Sequence, residues 1–401
     1  MKILIVNKFL YPNGGSESYI FRLGEQLQKM GHEVQFFGME HEGRIVGNHA
    51  ESYTSDMDFH SGKLARLIYP FKIIYSKEAR RKIRQVLDDF QPDAVHLNNF
   101  NFQLTPSVLY EIDKYRRDTG NKVKIVFTAH DSQLVCPNHL MQQYISRESC
   151  TKCIGGSPWN CTKYKCIHGS FVKSLLGSIE AFLYRSLGTY HLIDTVICPS
   201  NFMKEKLDTC RELQGKTIVM HNFAEPCEKR ESANENKESY VLYFGRYSKE
   251  KGIETLLKVC KNLPEIRFAF AGNGPLEEEV NKITNIINRG FMTGGELAEL
   301  IQNAEFSVFP SECNENCPLS VMESLAYGVP VIGAAIGGVT ELIEDGSTGY
   351  LFESGNEKQL CERINLLWED KEKLRELKAE CLKTEFDTIE SYCIKMISFY
   401  R

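Results

Sequence analysis

The sequence predicts an α/β protein made of two Rossmann-like, doubly wound parallel-sheet domains that face each other across a cleft. Three observations lead there. Short β-rich runs alternate with longer amphipathic segments, the pattern of βαβ units feeding a parallel sheet. The alternation comes as two series separated by a polar stretch, 228–238, that has no apolar period. At 401 residues the chain is also too long for one ordinary hydrophobic core.

In the first series the expected strands are 3–6, 33–37, 94–97, 123–127, 195–198 and 217–220, each apolar, short and followed by a polar or helical segment. In the second they are 240–244, 266–271, 306–309 and 329–332, with helical patterns over 275–287 and 295–303 between them. The segment 371–400 reads as a charged amphipathic helix pair able to fold back on the first domain. The resulting boundaries are 1–225 for the first domain, with a cysteine-rich insertion near 136–168, then 226–385 for the second and 386–401 for a terminal helix. Two doubly wound halves place a ligand between the carboxyl ends of their strands.

Composition narrows the class. With 42% hydrophobic and 25% charged residues the chain reads as a globular enzyme, and a net charge of −5 gives no reason to expect nucleic acid. The apolar start, 1–7, is too short for a signal-peptide core, and no run approaches the ~20 apolar residues of a membrane span. Fourteen cysteines, none in the first 135 residues, suit a reducing, cytoplasmic setting better than a disulfide scaffold.

The densest chemical signal is 310–330. A strand ends at Pro310, a loop carries Glu315, and Pro318 starts a helix that Gly328 and Pro330 terminate. The free amides of that helix start, around Pro318, Leu319 and Ser320, favour a phosphate or a developing anion. Glu315 outside the helix and Glu323 inside it suit separate groups of one ligand; equally, Ser320-Val-Met-Glu323 matches a capping box in which Glu323 only satisfies a backbone amide. A second signal, Gly245-Arg246 through Lys251-Gly252, follows a strand and offers two cations to one diphosphate. In Gly272-Asn-Gly274 the third glycine of a dinucleotide fingerprint is replaced by Glu277, which disfavours a nicotinamide or flavin enzyme. No P-loop is present. In the first half, Gly14 and Gly15 open a helix after the first strand, and His130, with Asp131 beside it, ends a later one.

Glu315-x7-Glu323 followed by Ala-Tyr-Gly-Val-Pro-Val-Ile, Gly-Arg-x4-Lys-Gly at 245–252, Ala-Gly-Asn-Gly-Pro at 271–275 and Gly337-Gly-Val-Thr-Glu341 together resemble the retaining glycosyltransferases of family 4, with the glycosyltransferase B fold. The resemblance covers nearly the whole chain and is strongest over 241–352. It implies that Glu323 binds the nucleotide ribose, Arg246 and Lys251 the donor diphosphate, Glu315 the donor sugar, and the amides at 318–320 the distal phosphate or sugar. It also places Gly290 and Phe291 at the base, Gly14, Gly15 and His130 at the donor sugar and acceptor, and Ser200 at an interdomain position. Where relatives often carry Phe-Gly, this chain has Cys317-Pro318, which bears on the sugar preferred.

The implied activity is metal-independent hexosyl transfer from a UDP- or GDP-sugar to a glycan or lipid-linked acceptor in surface polysaccharide biosynthesis. A noncatalytic nucleotide-sugar-binding protein and a nucleotide-sugar epimerase on the same fold are the alternatives. No Asp-x-Asp metal motif appears where one is expected, but Cys150-x2-Cys153-x7-Cys161-x4-Cys166 has spacings that suit a structural zinc as well as a loop of reduced thiols. The segment 63–84 carries eight Lys or Arg against one acid with apolar residues interleaved, so it reads either as a patch docking on the cytoplasmic membrane face or as a surface helix packed on the core.

Overall fold

The computed structural model describes residues 1–55, 72–225 and 239–401. Two compact units result, Met1–Met220 with Ile389–Arg401, and His221–Thr388. Each holds a six-stranded, wholly parallel sheet, so the predicted α/β class is borne out.

In the first unit the sheet order is β2-β1-β3-β4-β5-β6, from Lys2–Val6, Glu33–Phe37, Ala94–Leu97, Lys124–Thr128, Thr195–Cys198 and Thr217–Val219. The strands β1 and β3 to β5 are near-continuous apolar runs because helices cover both faces of a parallel sheet. Since β2 lies on one side of β1 and β3 on the other, the chain reverses its winding there, and a crevice opens at the carboxyl ends of β1 and β3.

Helix Lys77–Phe90 shows how local sequence sets an element. Ser76 caps it by accepting from the Ala79 amide, Gln91 ends it at a left-handed φ of 51°, and its apolar stripe buries Ile83, Val86, Leu87 and Phe90. Each such side chain contributes roughly 1.5–3 kcal/mol. Three of the six described cations of the basic stretch pair with acids: Arg80 with Glu111, Arg84 with Asp88 and Asp118, and Lys72 with Glu78. Helix Lys77–Phe90 thus packs its apolar face on the core, as one of the two readings of this stretch expects; residues 63–71 lie outside the described residues.

Helix Ile389–Tyr400 closes the first unit. Two of its tyrosines enter a buried polar chain: Tyr400 Oη to His96 Nδ1 at 2.8 Å, His96 Nε2 to Thr128 Oγ1 at 2.7 Å, and Tyr392 Oη to Tyr19 Oη at 3.0 Å. Every group in the chain is paired, which makes burying it affordable.

The second sheet runs β12-β11-β10-β7-β8-β9, from Val241–Phe244 (β7), Phe268–Ala271 (β8), Ile286–Asn288 (β9), Phe306–Phe309 (β10), Val331–Ala334 (β11) and Gly349–Phe352 (β12). The winding reverses between β7 and β10. The helical pattern expected over 275–287 is corrected: the helix covers only Glu277–Asn281, and Ile286-Ile287 pair with β8 as β9. Two β-branched residues beside an open sheet edge gain more as a strand, and Asn285 fixes the turn by donating to the carbonyls of Cys260, Leu263 and Ile266 at 2.8–3.0 Å. Among the described residues no helix is long and apolar enough to cross a membrane.

Candidate active site

The reversal of winding between β7 and β10 brings two sequence-distant loops together. After β7 the chain passes through Gly245, Arg246 and a short 3-10 turn, Lys249–Lys251; after β10 it passes through Ser311, Cys313 and Glu315. Lys251 Nζ donates to Glu315 Oε1 at 2.6 Å. Burial works against the Lys251 charge, but the Glu315 carboxylate outweighs it and raises the ammonium above its ordinary range, so Lys251 stays charged. The same Oε1 accepts from Ser311 Oγ at 2.5 Å and from Cys313 Sγ at 3.6 Å. Side-chain exposure of 31% for Lys251 and 12% for Glu315 leaves the ammonium within reach of a ligand.

The backbone fixes both loops. Gly252 has φ +71°, and a Cβ there would fall 1.8 Å from the Pro310 carbonyl oxygen. Glu312 N donates to Glu250 O at 2.9 Å, locking the two turns. Gly337 has φ +57°, a Cβ there would meet Glu315 O at 2.1 Å, and Gly338 N donates to that oxygen at 2.8 Å. The Gly337-Gly338 turn therefore holds Glu315 in place.

The other expected residues of this unit distribute as follows. Arg246 is exposed, its carbonyl held by Tyr243 Oη at 2.8 Å. Gly272 N donates to Gly290 O at 2.7 Å and Gly245 N to Ala271 O at 2.9 Å, so the three glycine loops after β7, β8 and β9 form one cradle, with Phe291 67% exposed at its rim. Gly274 packs against Tyr247, where a Cβ would lie 2.5 Å from its carbonyl oxygen. Pro318 is the N-cap of helix Leu319–Ala326, with no side-chain cap. The capping-box alternative thus falls: Ser320 is the second residue inside the helix, two positions past the N-cap Pro318. Glu323 is half-buried on that helix. Cys317 is buried below the helix start, where its carbonyl accepts from Asn222 Nδ2 at 2.8 Å.

In the first unit, Gly14 and Gly15 begin helix Gly15–Lys29 and are exposed. Glu17 is buried at the same helix start and accepts from Asn7 Nδ2 at 2.9 Å. A carboxylate already occupies the positive end of that helix, so the opening suits a neutral hydroxylated ligand better than a phosphate. His130, just past β4, shares a hydrogen bond with Asn98 at the end of β3 (Nε2 to Oδ1, 2.8 Å) and packs edge-on against Tyr19. Burial lowers its pKa to about 4, which keeps the imidazole neutral. Asp131 is not its partner; that carboxylate faces His139 at 3.6 Å. Ser200 caps helix Asn201–Leu207 by accepting from Met203 N, a local structural role.

Sequence reasoning missed Ser311, Cys313, Asn98 and the brace at Gly337-Gly338. The available signal was a polar residue directly past the carboxyl end of a strand, which Ser311 and Asn98 both show.

The insertion gathers five cysteines. Cys136, Cys150, Cys153, Cys161 and Cys166 line one void with room for about one water-sized body. Burial pushes the Cys153 thiol up to about 12 and raises that of Cys136, and Cys136 Sγ donates to Asn138 Oδ1 at 2.9 Å. The donor chemistry suits zinc, but among the described residues no three ligand side chains stand as they would around one ion.

Two doubly wound parallel units, each with a reversal of winding and one presenting a cation, a carboxylate and a helix start at it, define a protein of the glycosyltransferase B fold. The chain matches the profile of Glycosyltransferase Family 4 over residues 13–226 and that of Glycosyl transferases group 1 over 225–383, and it belongs to this glycosyltransferase family. Sulfoquinovosyl transferase of Arabidopsis thaliana is 34% identical over 149 residues, 36% of this chain but only 29% of the plant protein's length. Sucrose-phosphate synthase from Thermosynechococcus elongatus superposes with a TM-score of 0.70 at 16% identity, covering 100% of this chain and 98% of the other. Anabaena HepE in complex with UDP-glucose gives 0.63 at 17% identity, with 99% of both chains covered.

Proposed function

We propose that the protein is a retaining hexosyltransferase that uses a UDP- or GDP-sugar and acts on a glycan or lipid-linked acceptor in the assembly of a surface polysaccharide. The observation that carries this reading is the Lys251–Glu315 pair at the reversal of winding, beside an exposed Arg246 and the start of helix Leu319–Ala326.

The chemistry follows from these groups. Breaking the bond between the anomeric carbon and the β-phosphate oxygen sends an electron pair to the phosphate. Arg246, Lys251 and the free amides at 319–320 supply preorganised positive charge for it, without a metal. A diphosphate beside Lys251 would compete with Glu315 for the ammonium, freeing the carboxylate to accept from sugar hydroxyls. The acceptor hydroxyl forms the new bond on the face the phosphate leaves, and its proton passes to that phosphate, which gives retention. Glu323, on the same helix, takes the ribose; Gly290 and Phe291 take the base; neutral His130, with Gly14 and Gly15, takes sugar or acceptor hydroxyls.

Nucleotide release from a panel of UDP- and GDP-sugars, with and without an acceptor extract, tests the proposal. One donor turned over by the wild type and by neither Lys251→Ala nor Glu315→Gln supports it; tight binding of a donor without turnover would favour a noncatalytic binding protein.

The cysteine insertion has a separate, structural reading: Cys150, Cys153, Cys161 and Cys166 close on a zinc ion that staples a segment with little apolar core of its own. Its support is the convergence of the thiols on one void. Metal analysis after growth with zinc should find one ion per chain, absent from Cys153→Ser; a zinc-free wild type whose thiols all react would overturn it.

A further inference from the structure

Helix Phe171–Ser186 is turned inside out. Its buried face consists of Ser174, Gly177, Ser178, Glu180, Ala181 and Tyr184, while Phe171, Val172 and Phe182 on its other side are 50–61% exposed. The inward face is small and polar because it packs on loop backbone. Ser178 Oγ donates to Pro158 O at 2.8 Å, Ser174 Oγ accepts from Ile167 N at 2.9 Å, and Gly177 has no room for a Cβ beside Ile167. The apolar side chains are left to solvent. The patch extends to Trp159, whose ring lies 5.8 Å from that of Phe182, and at the other end to Tyr144, which covers Gly169 just before the helix.

The patch is framed by positive charge. Residues 139–187 contain six Lys or Arg and two acids, one of them the buried Glu180, in a chain whose net charge is −5. Lys163, Lys165 and Lys173 are all exposed.

We infer that this face docks on an anionic lipid bilayer. Exposed Trp, Tyr and Phe with lysines at the margin suit the boundary between headgroups and acyl chains, where rings are half-buried and ammonium groups meet lipid phosphates. A second copy of this chain fits less well, because a two-fold contact would set each basic margin against its own image. The inference stands on the face itself and does not rest on the transferase reading; it is measured without a donor.

The full-length chain is floated with vesicles of phosphatidylcholine alone and of phosphatidylcholine mixed with phosphatidylglycerol. Trp159 emission is followed in a Trp368→Phe background. Binding to the anionic vesicles with a blue shift is expected, weakened about tenfold or more by Phe171→Ser with Phe182→Ser and by Lys165→Glu with Lys173→Glu, a loss of about 1.4 kcal/mol. These side chains are exposed, so unchanged melting temperatures certify the fold of each variant. Wild-type protein that ignores anionic vesicles, or variants that bind them equally well, would overturn the inference. So would a wild-type dimer that the phenylalanine variants convert to monomer without any vesicle binding.

Discussion

Lys251 Nζ stands 2.6 Å from Glu315 Oε1, so a cation carried by the loop after β7 and a carboxylate carried by the loop after β10, 64 residues apart, are each other's partner. A ligand that separates them must offer the ammonium a better anion and the carboxylate better donors. A nucleoside diphosphate bearing a sugar offers both.

Lys251→Ala should reduce kcat by about 10²–10³-fold, the usual loss when one preorganised donor to a developing anion is removed. Glu315→Gln should lose activity similarly while melting close to the wild type, since an amide oxygen still accepts from Lys251 and Ser311. Steady-state kinetics and thermal unfolding on the same preparations separate the two effects; a Glu315→Gln enzyme of normal kcat would remove the carboxylate from the mechanism.

Gly337→Ala tests the brace. A side chain at φ +57° costs about 1–3 kcal/mol of backbone strain, and its Cβ would displace the Glu315 carbonyl. Activity should fall much further than the few degrees in Tm that such strain implies. Equal losses in both would show the turn to be merely structural.

Glu180 gives a pH-dependent prediction. Burial raises its pKa to about 8, so the folded chain holds the carboxyl neutral while the unfolded chain releases the proton near 4.5. What this group contributes to stability is present below 4.5 and is lost as pH rises through 8, at roughly 1.4 kcal/mol per pH unit. Glu180→Gln, which keeps the acceptor for Asn101 Nδ2, should be close to neutral at pH 4.5 and clearly stabilising at pH 8, read from denaturant unfolding of the first unit at both values.

Tyr400→Phe removes the partner of His96 Nδ1, a ring with no exposure. The stranded nitrogen should destabilise the first unit by about 1–3 kcal/mol. Donor binding by the second unit should be unchanged, which isothermal calorimetry with a nucleotide checks.

Much was legible in the sequence because it is written in local patterns. Parallel strands such as Ala94–Leu97 and Phe306–Phe309 are short apolar runs bounded by polar turns, and their periodicity survives without tertiary information. The motifs at 245–252 and 310–330 announced themselves by where they stood, past the end of a strand and at the start of a helix. Short range also explains the failures. Five apolar or amphipathic residues read as helix or strand alike, so Ile286-Ile287 were decided by the open edge of β8, and Ser320 failed as a cap because the helix begins at Leu319, with Pro318 in the cap position.

By itself the sequence determined the α/β class, the family and which residues could bear charge at a binding loop. Only the tertiary structure decided which of them meet: that Lys251 pairs with Glu315, that Asp131 turns to His139 rather than His130, that Arg80 and Arg84 reach Glu111 and Asp118 on the neighbouring helix, and that helix Phe171–Ser186 faces its apolar side outward. The reason is physical. Propensity and periodicity act over a few residues, whereas ion pairs, buried hydrogen bonds and the facing of a helix depend on groups that parallel crossovers bring together from tens of residues away.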